Sequence, residues 1–286
     1  RCFWCQNPEG LAGRVELQFF RDRCRECGEC FLVCPHGAHV LVDGRHVILR
    51  DKCQCSGECV AACPAGALVF SGREMTASEV TNLVKQDQTY FDYSKGGVTL
   101  SGGEPLMQPD FSLEILRQCK DAGINTAIET TAWGREDAFR RILDVTDLVM
   151  MDVKHMDAHQ HEQATGVDPA KSRNNAELLR ESGKPLIIRV PVIPGFNNSD
   201  SAIHAIADYA AGFPALQYVE LLPFHRLGEG KYESLDMACA TINLPMPTRN
   251  EMKVLAEVAQ QSGIPVKCAG VRSKPARNKA EVGEMA

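Results

Sequence analysis

The sequence predicts an α/β fold of repeated βα units, with a cysteine-rich segment inserted near its N-terminus. After Gly72, short apolar runs typical of strands alternate with amphipathic segments typical of helices. Eight of the 13 cysteines fall between Cys24 and Cys63, ahead of those units. Repeated βα units imply a parallel sheet with helices outside it, arranged either as a barrel or as an open doubly wound sheet.

The predicted elements follow one another at regular spacing. Thr76 or Ser78 is a candidate N-cap for the first helix, and Gly123 is placed to end the second. The predicted strands are 98–100, 125–129, 148–152, 186–192, 217–222 and 264–268. The predicted helices are 75–87, 111–122, 135–143, 170–182, 201–211 and 249–262.

Composition and charge restrict the classes of function. At 286 residues, with 44% hydrophobic and 24% charged side chains, the chain suits one large globular domain or one domain with an insertion. The net charge of −6 predicts no basic face for nucleic acid and no polybasic membrane anchor, and no apolar run approaches the length of a membrane span. The predicted domains are a barrel-like unit of residues 1–20 and 72–271, an insert of residues 21–71 and a loose polar tail of residues 272–286.

The insert repeats itself with a shift of 29 residues. Its first copy has the spacing Cys24-x2-Cys27-x2-Cys30-x3-Cys34, followed by Pro35, which is the bacterial ferredoxin pattern for a [4Fe–4S] cluster. Zinc sites use two CxxC pairs set well apart, so the close spacing argues against zinc. In ferredoxins the fourth cysteine of such a run ligates the neighbouring cluster. One predicted cluster therefore takes Cys24, Cys27, Cys30 and Cys63, and the other takes Cys34 with cysteines of the second copy, Cys53, Cys55 and Cys59.

The second copy departs from this pattern at one point. Ser56 stands where the first copy has Cys27, and a cysteine comes one residue earlier, at Cys55. Two outcomes remain open. Either Cys55 serves as a ligand through a rearranged loop, or the second cluster is incomplete and labile.

A further cysteine pair, Cys2 and Cys5, opens the chain with Phe3 and Trp4 between its members. Alone, a CxxC is compatible with a zinc half-site, a redox pair or chance. The other cysteines cluster at two- and three-residue gaps, in a chain far longer than most secreted disulfide scaffolds. The pattern therefore predicts metal–thiolate ligation in a reducing compartment, as in a cytoplasmic iron–sulfur protein.

Polar residues stand at the carboxyl ends of the predicted strands, where parallel α/β folds bind their ligands. Gly102-Gly103-Glu104 follows the first strand, Glu129 ends the second and Asp152-Val153-Lys154 the third. Arg189 lies inside an apolar strand and should face a cavity or a charged partner, because burying it unpaired is costly. His225 follows the fifth strand. Singly, the glycines fit a tight βα turn and the histidine a structural loop residue, but polar strand ends in series favour a site.

Several motifs occur in a characteristic order around the insert. They are RCFWCQNPEG, GGVTLSGGEPLMQP, IETT, MDVKHMD, IIRVPVIPGFN and ELLPFHRLGEGKY. Together they make the chain resemble, over nearly its whole length, the radical SAM activating enzymes of glycyl radical enzymes. The resemblance implies a partial (β/α)6 radical SAM barrel with an inserted ferredoxin-like domain. The family's CxxxCxxC signature would have its first cysteine three residues before Arg1, and the first barrel strand is expected to be absent as well.

The resemblance also implies roles for individual residues. Cys2 and Cys5 would be two of the three ligands of the [4Fe–4S] cluster that binds S-adenosylmethionine (SAM), with Trp4 and Gln6 flanking the cofactor. Gly103, with its neighbours Gly102 and Glu104, would hold the methionyl amino group. The SAM site would be lined by Asp152, Val153, Lys154, Arg189 and His225. Glu129 stands where the pyruvate formate-lyase activator has an aspartate beside a bound cation.

The implied reaction is reductive cleavage of SAM, followed by removal of a Cα hydrogen from a glycine of a partner enzyme under anaerobic conditions. The expected partners are a glycyl radical enzyme and a low-potential electron donor, flavodoxin or ferredoxin. The two predicted auxiliary [4Fe–4S] clusters would relay electrons or help to dock the partner. Two alternatives stay open: a radical SAM enzyme acting directly on a small molecule or peptide, and a non-catalytic iron–sulfur electron carrier.

Overall fold

The computed structural model describes residues 1–269, so the predicted tail of residues 272–286 lies outside the described residues. Its helices are α1 Glu29–Val33, α2 Glu58–Ala61, α3 Ala77–Val84, α4 Gln88–Ser94, α5 Pro109–Asp121, α6 Glu136–Asp144, α7 Ala158–Thr165, α8 Ala170–Ser182, α9 Asp200–Ala211, α10 Glu229–Ser234 and α11 Arg249–Gln260. Its strands are β1 Leu17–Phe19, β2 His39–Val42, β3 Arg45–Ile48, β4 Leu68–Phe70, β5 Gly97–Leu100, β6 Asn125–Thr130, β7 Leu148–Asp152, β8 Leu186–Val192, β9 Leu216–Pro223 and β10 Val266–Cys268. Over this range no helix is both long and apolar enough to span a bilayer.

Strands β5 to β10 form one parallel sheet in the order β10-β9-β8-β7-β6-β5. Each strand pairs with its neighbours in the chain, so the sheet winds in one direction only. A doubly wound sheet would reverse its strand order at a switch point. The α/β prediction is confirmed, and the topology selects the incomplete barrel over the doubly wound sheet.

The main core lies between the outer face of this sheet and the helices. Successive side chains of a strand point to opposite faces. Alternate residues such as Ile128, Val149 and Ile188 are therefore fully buried, and they belong to one cluster with Phe139 of α6 and Leu179 of α8. Burial of this apolar surface fixes which face of each strand points inward to the barrel axis.

The inner face of the sheet carries charge. The register pairs Glu129 with Met150, Asp152 with Arg189, and Arg189 with Glu220. Because side chains alternate, these residues share the face opposite to the main core. The charged side chains thus meet across β6, β7, β8 and β9 near their carboxyl ends.

The insert has its own small core and a backbone that repeats. Strand β1 pairs antiparallel with β4, so the strand pairing of the insert begins before its predicted start at residue 21. Gly28 and Gly57 precede α1 and α2 with φ of 82° and 101°, and Glu26 and Cys55 both have positive φ, 56° and 52°. The two copies therefore share positive φ at the same two positions of the turn. Cys55 itself adopts the left-handed conformation that Glu26 has in the first copy, and its role as a ligand stays a prediction.

Arg50 joins the insert to the barrel. Its guanidinium donates to the carbonyl of Ser234 at 3.0 Å and to Oδ2 of Asp236 at 2.8 and 2.9 Å. Arg21 donates to Oδ1 of the same aspartate at 3.0 Å. Two arginines of the insert thus bind one carboxylate that directly follows α10.

All predicted strands and helices are present, most of them with ends within two residues of the prediction. Thr76 forms a capping box with Glu79, as the sequence suggested, and Gly123 ends α5 with φ of 75°. The sequence analysis missed α4, α7 and α10, and it missed the helices and strands of the insert.

The edge strand β5 supplies a test of the sheet. A Cβ on Gly97 would lie 2.0 Å from the carbonyl oxygen of Asn125 on β6, so Gly97→Ala must push the two backbones apart. We expect it to lower the free energy of urea unfolding by about 1–3 kcal/mol. Gly72→Ala is the matched control, since a Cβ there has open space. Equal effects of the two substitutions would contradict this packing.

Candidate functional site

The loop of residues 1–10 is packed onto the carboxyl edge of the sheet through Trp4. This indole is 5% exposed and contacts Ile193 and Phe224, which directly follow β8 and β9. Its ring centroid lies 4.9 Å from that of Phe196. Burial of a large aromatic side chain at this point holds Cys2 and Cys5 beside the strand ends.

Gln6 fastens the loop to the end of β9. Its amide nitrogen donates to the carbonyl of His225 at 3.1 Å, and its amide oxygen accepts from the backbone N–H of Gly228 at 2.9 Å. A Cβ on Gly228 would meet that oxygen at 2.7 Å, so glycine permits the close approach. The His225 side chain is exposed, and its Nδ1 accepts only a long bond of 3.4 Å from Leu227.

Helix α10 binds the same loop through two of its side chains. The hydroxyl of Tyr232 donates to the carbonyl of Cys5 at 3.0 Å. Lys231 donates to Asn7 Oδ1 at 2.8 Å and to Glu9 Oε1 at 2.7 Å. These contacts join residues more than 220 positions apart, so they fix the loop relative to the barrel.

Cys2 and Cys5 are both half-buried and free. Burial raises the pKa of the Cys2 thiol, while the nearby Lys154 ammonium opposes that rise. The backbone N–H of Asn7 points at Cys5 Sγ, 3.4 Å away. A cation and a backbone donor beside the sulfurs suit thiolates that bind a metal.

Lys154 is a buried cation at the end of β7. It is 7% exposed and lies 2.8 Å from Asp152 Oδ2. Burial alone would lower the pKa of Lys154, but Asp152 and Cys2 raise it above its ordinary value. The buried amide of Asn197 donates to the Lys154 carbonyl at 2.8 Å and to the Pro191 carbonyl at 2.9 Å. It therefore joins the turn after β7, which contains Lys154, to the end of β8, which contains Pro191.

Glu104 clamps the glycine-rich turn after β5 to the end of β6. Its Oε1 accepts from Leu106 N at 3.2 Å and Thr130 Oγ1 at 2.5 Å; its Oε2 accepts from Thr131 N at 2.7 Å and Thr131 Oγ1 at 2.6 Å. Burial raises the pKa of Glu104, and the hydrogen bonds oppose the rise because they favour the ionised carboxylate. The structure thus uses this carboxylate within the protein, whereas Gly102 and Gly103 are exposed, with open space around them.

Arg189 bridges two carboxylates on the inner face. Its Nη1 lies 2.9 Å from Glu129 Oε1, and its Nε lies 2.9 Å from Glu220 Oε2. Ser101 donates to the second oxygen of Glu129 at 2.7 Å. The prediction that Arg189, in an apolar strand, faces a charged partner is therefore confirmed. Val153 adds a backbone bond to the Arg189 carbonyl at 2.9 Å.

The cysteines of the insert lie in two groups. Burial raises the pKa of Cys30 to about 11, and the neighbouring Cys24, Cys27 and Cys63 sulfurs add to the rise. These four line a cavity of about 540 Å³. Burial likewise raises the pKa of Cys59 to about 11, with contributions from the nearby Cys34 and Cys53. Cys55 lies beside Cys53, which together with burial raises the pKa of Cys55.

Sequence reasoning missed several residues of this site. Glu220 interrupts an apolar strand, as Arg189 does, and that signal was available. Asn197, Lys231 and Tyr232 fall within motifs that carried the resemblance, but nothing local in the sequence marks their contacts.

Comparison with protein families defines the class of protein. Residues 53–206 match the family model described as Radical SAM superfamily, and residues 17–39 match a 4Fe-4S binding domain. The chain is a radical SAM protein, which binds an iron–sulfur cluster and SAM.

Curated relatives narrow the class. The chain is 36% identical over 241 residues to the choline trimethylamine-lyase activating enzyme of Oleidesulfovibrio alaskensis, covering 82% of this chain and 78% of the relative. It is 39% identical to the isethionate sulfite-lyase activating enzyme of Desulfovibrio desulfuricans (82% and 77%) and 39% identical to the benzylsuccinate synthase activating enzyme of Thauera aromatica (83% and 74%). The chain belongs to the family of glycyl-radical-enzyme activating enzymes.

Solved structures agree with this placement. A domain of the pyruvate-formate lyase-activating enzyme from Bacteroides vulgatus has a TM-score of 0.52 and 27% identity, covering 61% of this chain and 99% of that domain. SuiB of Streptococcus suis bound to S-adenosylmethionine has a TM-score of 0.51 at 15% identity, covering 68% of this chain and 41% of SuiB, and shows the likeness of fold alone.

The Glu104 clamp predicts the effect of one conservative substitution. Each carboxylate oxygen accepts a backbone N–H, so Glu104→Gln must turn an amide NH2 toward a backbone donor in either orientation. We expect a loss of about 1–3 kcal/mol in unfolding free energy, together with weaker SAM binding in equilibrium titrations. Glu114→Gln on α5 is the control and should change neither. An unchanged stability of Glu104→Gln would show that the clamp is not formed.

Proposed function

We propose that the chain cleaves SAM reductively and uses the resulting radical to remove a Cα hydrogen from one glycine of a partner glycyl radical enzyme. Support comes from its membership of the activating-enzyme family and from the site at the carboxyl edge. The curated relatives reported above are all named activating enzymes, which favours this function over direct modification of a small molecule or peptide and over the role of a non-catalytic electron carrier. Free thiols throughout the chain suit a reducing, anaerobic cytoplasm.

Cys2 and Cys5 are the proposed ligands of the SAM-binding [4Fe–4S] cluster. The donor set fits, because both thiols are free, half-buried and held on one rigid loop by Trp4 and α10. Lys154 lowers the cost of a thiolate at Cys2. In the family signature a third cysteine would lie three residues before Arg1. When bound, the reduced cluster supplies one electron to the sulfonium of SAM, which breaks a carbon–sulfur bond to yield methionine and the 5′-deoxyadenosyl radical.

The strand ends supply the groups that would hold SAM. The exposed backbone of Gly102 and Gly103 offers carbonyls to the methionyl ammonium. Lys154 places a cation where a carboxylate can bind, and Asp152 keeps it charged. Arg189, held between two glutamates, orients polar groups on the inner face. At the carboxyl edge of the sheet, Gln6 binds the backbone carbonyl of His225 and the N–H of Val153 binds the carbonyl of Arg189. The side chain of His225 is exposed at the same edge.

The insert is proposed to hold two auxiliary [4Fe–4S] clusters. The cavity lined by Cys24, Cys27, Cys30 and Cys63 is large enough for one cluster and presents four thiols to it. The second group offers Cys34, Cys53, Cys55 and Cys59, with Cys55 replacing the missing cysteine at Ser56. The clusters would accept electrons from a flavodoxin or a ferredoxin, since both donors work at low potential.

The first experiment looks for the product radical. Protein loaded with iron and sulfide without air, then reduced and mixed with SAM and a candidate glycyl radical enzyme, should generate the doublet EPR signal of a glycyl radical on the partner. Cys5→Ala should abolish the signal, because it removes a proposed cluster ligand. Cys268→Ala, on the edge strand β10, should leave it intact. A full doublet with Cys5→Ala would contradict the assignment.

The second experiment decides the role of Cys55. In the loaded protein, Cys55→Ala should lower the iron content by about one to four atoms per chain and remove the EPR signal of the second auxiliary cluster, because that [4Fe–4S] cluster loses one of its four thiolates. Cys268→Ala serves as the control and should lose none. If Cys55→Ala keeps all its iron and its second auxiliary EPR signal, the second cluster does not depend on this thiol.

A further inference from the structure

Two histidines of the β2–β3 hairpin meet beside the first cysteine group. His39 Nδ1 and His46 Nε2 are 2.8 Å apart. A nitrogen of each ring and Cys30 Sγ lie within 4.8 Å of one another. His46 also lines the cavity formed by Cys24, Cys27, Cys30 and Cys63. Nothing in the proposed ligand sets accounts for this pair.

The surroundings fix where the protons of the pair lie. The 2.8 Å contact between the rings requires one nitrogen to donate and the other to accept, and each neutral imidazole carries one proton, on Nδ1 or on Nε2. His39 is 6% exposed, and its Nε2 is buried without a hydrogen-bond partner anywhere in residues 1–269. A buried N–H without an acceptor is rarer than a buried lone pair without a donor. The proton of His39 therefore sits on Nδ1 and is donated to His46 Nε2.

This arrangement leaves the proton of His46 on Nδ1, which donates to no residue of the described chain. The ring is held in place by aromatic neighbours, with Phe19 at 4.4 Å and Phe31 at 4.8 Å between ring centroids. Its backbone carbonyl accepts from Arg21 at 2.6 Å. The free N–H thus belongs to a rigid ring on the wall of the cavity.

We propose that His46 Nδ1–H donates a hydrogen bond to a sulfur of the cluster held by Cys24, Cys27, Cys30 and Cys63, and thereby raises its reduction potential. His39 is the positioning residue that fixes the tautomer of His46. The inference rests on the proposed first auxiliary cluster. Hydrogen bonds to the sulfurs are among the factors that set cluster potentials, and an N–H stabilises the reduced, more negative state.

The main test is a redox titration followed by EPR. The redox transition of the first auxiliary cluster is identified as the one that disappears in the Cys27→Ala variant. His46→Phe, which keeps an aromatic ring between Phe19 and Phe31, should make this cluster about tenfold harder to reduce, a shift of ~59 mV for one electron. His46→Asn retains an N–H near Nδ1 and should recover most of the shift. His36→Phe, at a histidine that follows the second group's Cys34, should leave the transition unchanged.

Two results would overturn the proposal: a potential unchanged by His46→Phe, or equal shifts in the Phe and Asn variants, which would indicate packing alone. A measurement on the unaltered protein covers the case in which His46→Phe loses the cluster. With 15N-histidine labelling, the reduced first cluster should show a hyperfine coupling to a histidine nitrogen. Absence of that coupling, with iron content and EPR signal intact, contradicts the hydrogen bond while leaving the cluster assignment in place. Missing iron and signal would instead contradict the cluster.

Discussion

The organisation of this protein depends on how a ten-residue loop with two cysteines is held against the edge of a parallel sheet. Trp4 anchors one side of the loop in an apolar pocket, and Tyr232 of α10 binds the carbonyl of Cys5 on the other. The same short helix is followed by Asp236, which binds two arginines of the insert. The short helix α10 and the residue that follows it therefore position both the Cys2–Cys5 loop and the cysteine-rich insert relative to the barrel.

The charged side chains at the strand ends are arranged as cation–carboxylate pairs. Arg189 lies between Glu129 and Glu220, and Lys154 lies beside Asp152, so each of these two cations has a carboxylate partner. Removing one partner of such a pair leaves an uncompensated charge, which costs far more than an exposed ion pair contributes. The pairs hold the strand ends rigid, and they leave the backbone of the glycine-rich turn as the accessible polar surface for a ligand.

Much of this fold could be read from the sequence because its signals are local. Strands β7 and β8 are apolar runs with sharp ends, and the sequence placed them at the observed residues. Helix α10 has six residues, with a glycine among them and no apolar periodicity, so nothing local marked it. The need of Arg189 for a charged partner was predictable, but its choice of Glu129 and Glu220 depends on strand register. The bond from Tyr232 to Cys5 spans 227 positions and exists only in the folded chain.

The central proposal is that Cys2 and Cys5 hold a cluster where SAM can reach both an iron and the strand ends. Pulsed EPR on the reduced, SAM-bound protein, with 15N in the methionyl amino group, tests this most directly. The account predicts a hyperfine coupling between that nitrogen and the cluster signal that Cys5→Ala removes. Bound SAM with no coupling to that cluster would contradict the account.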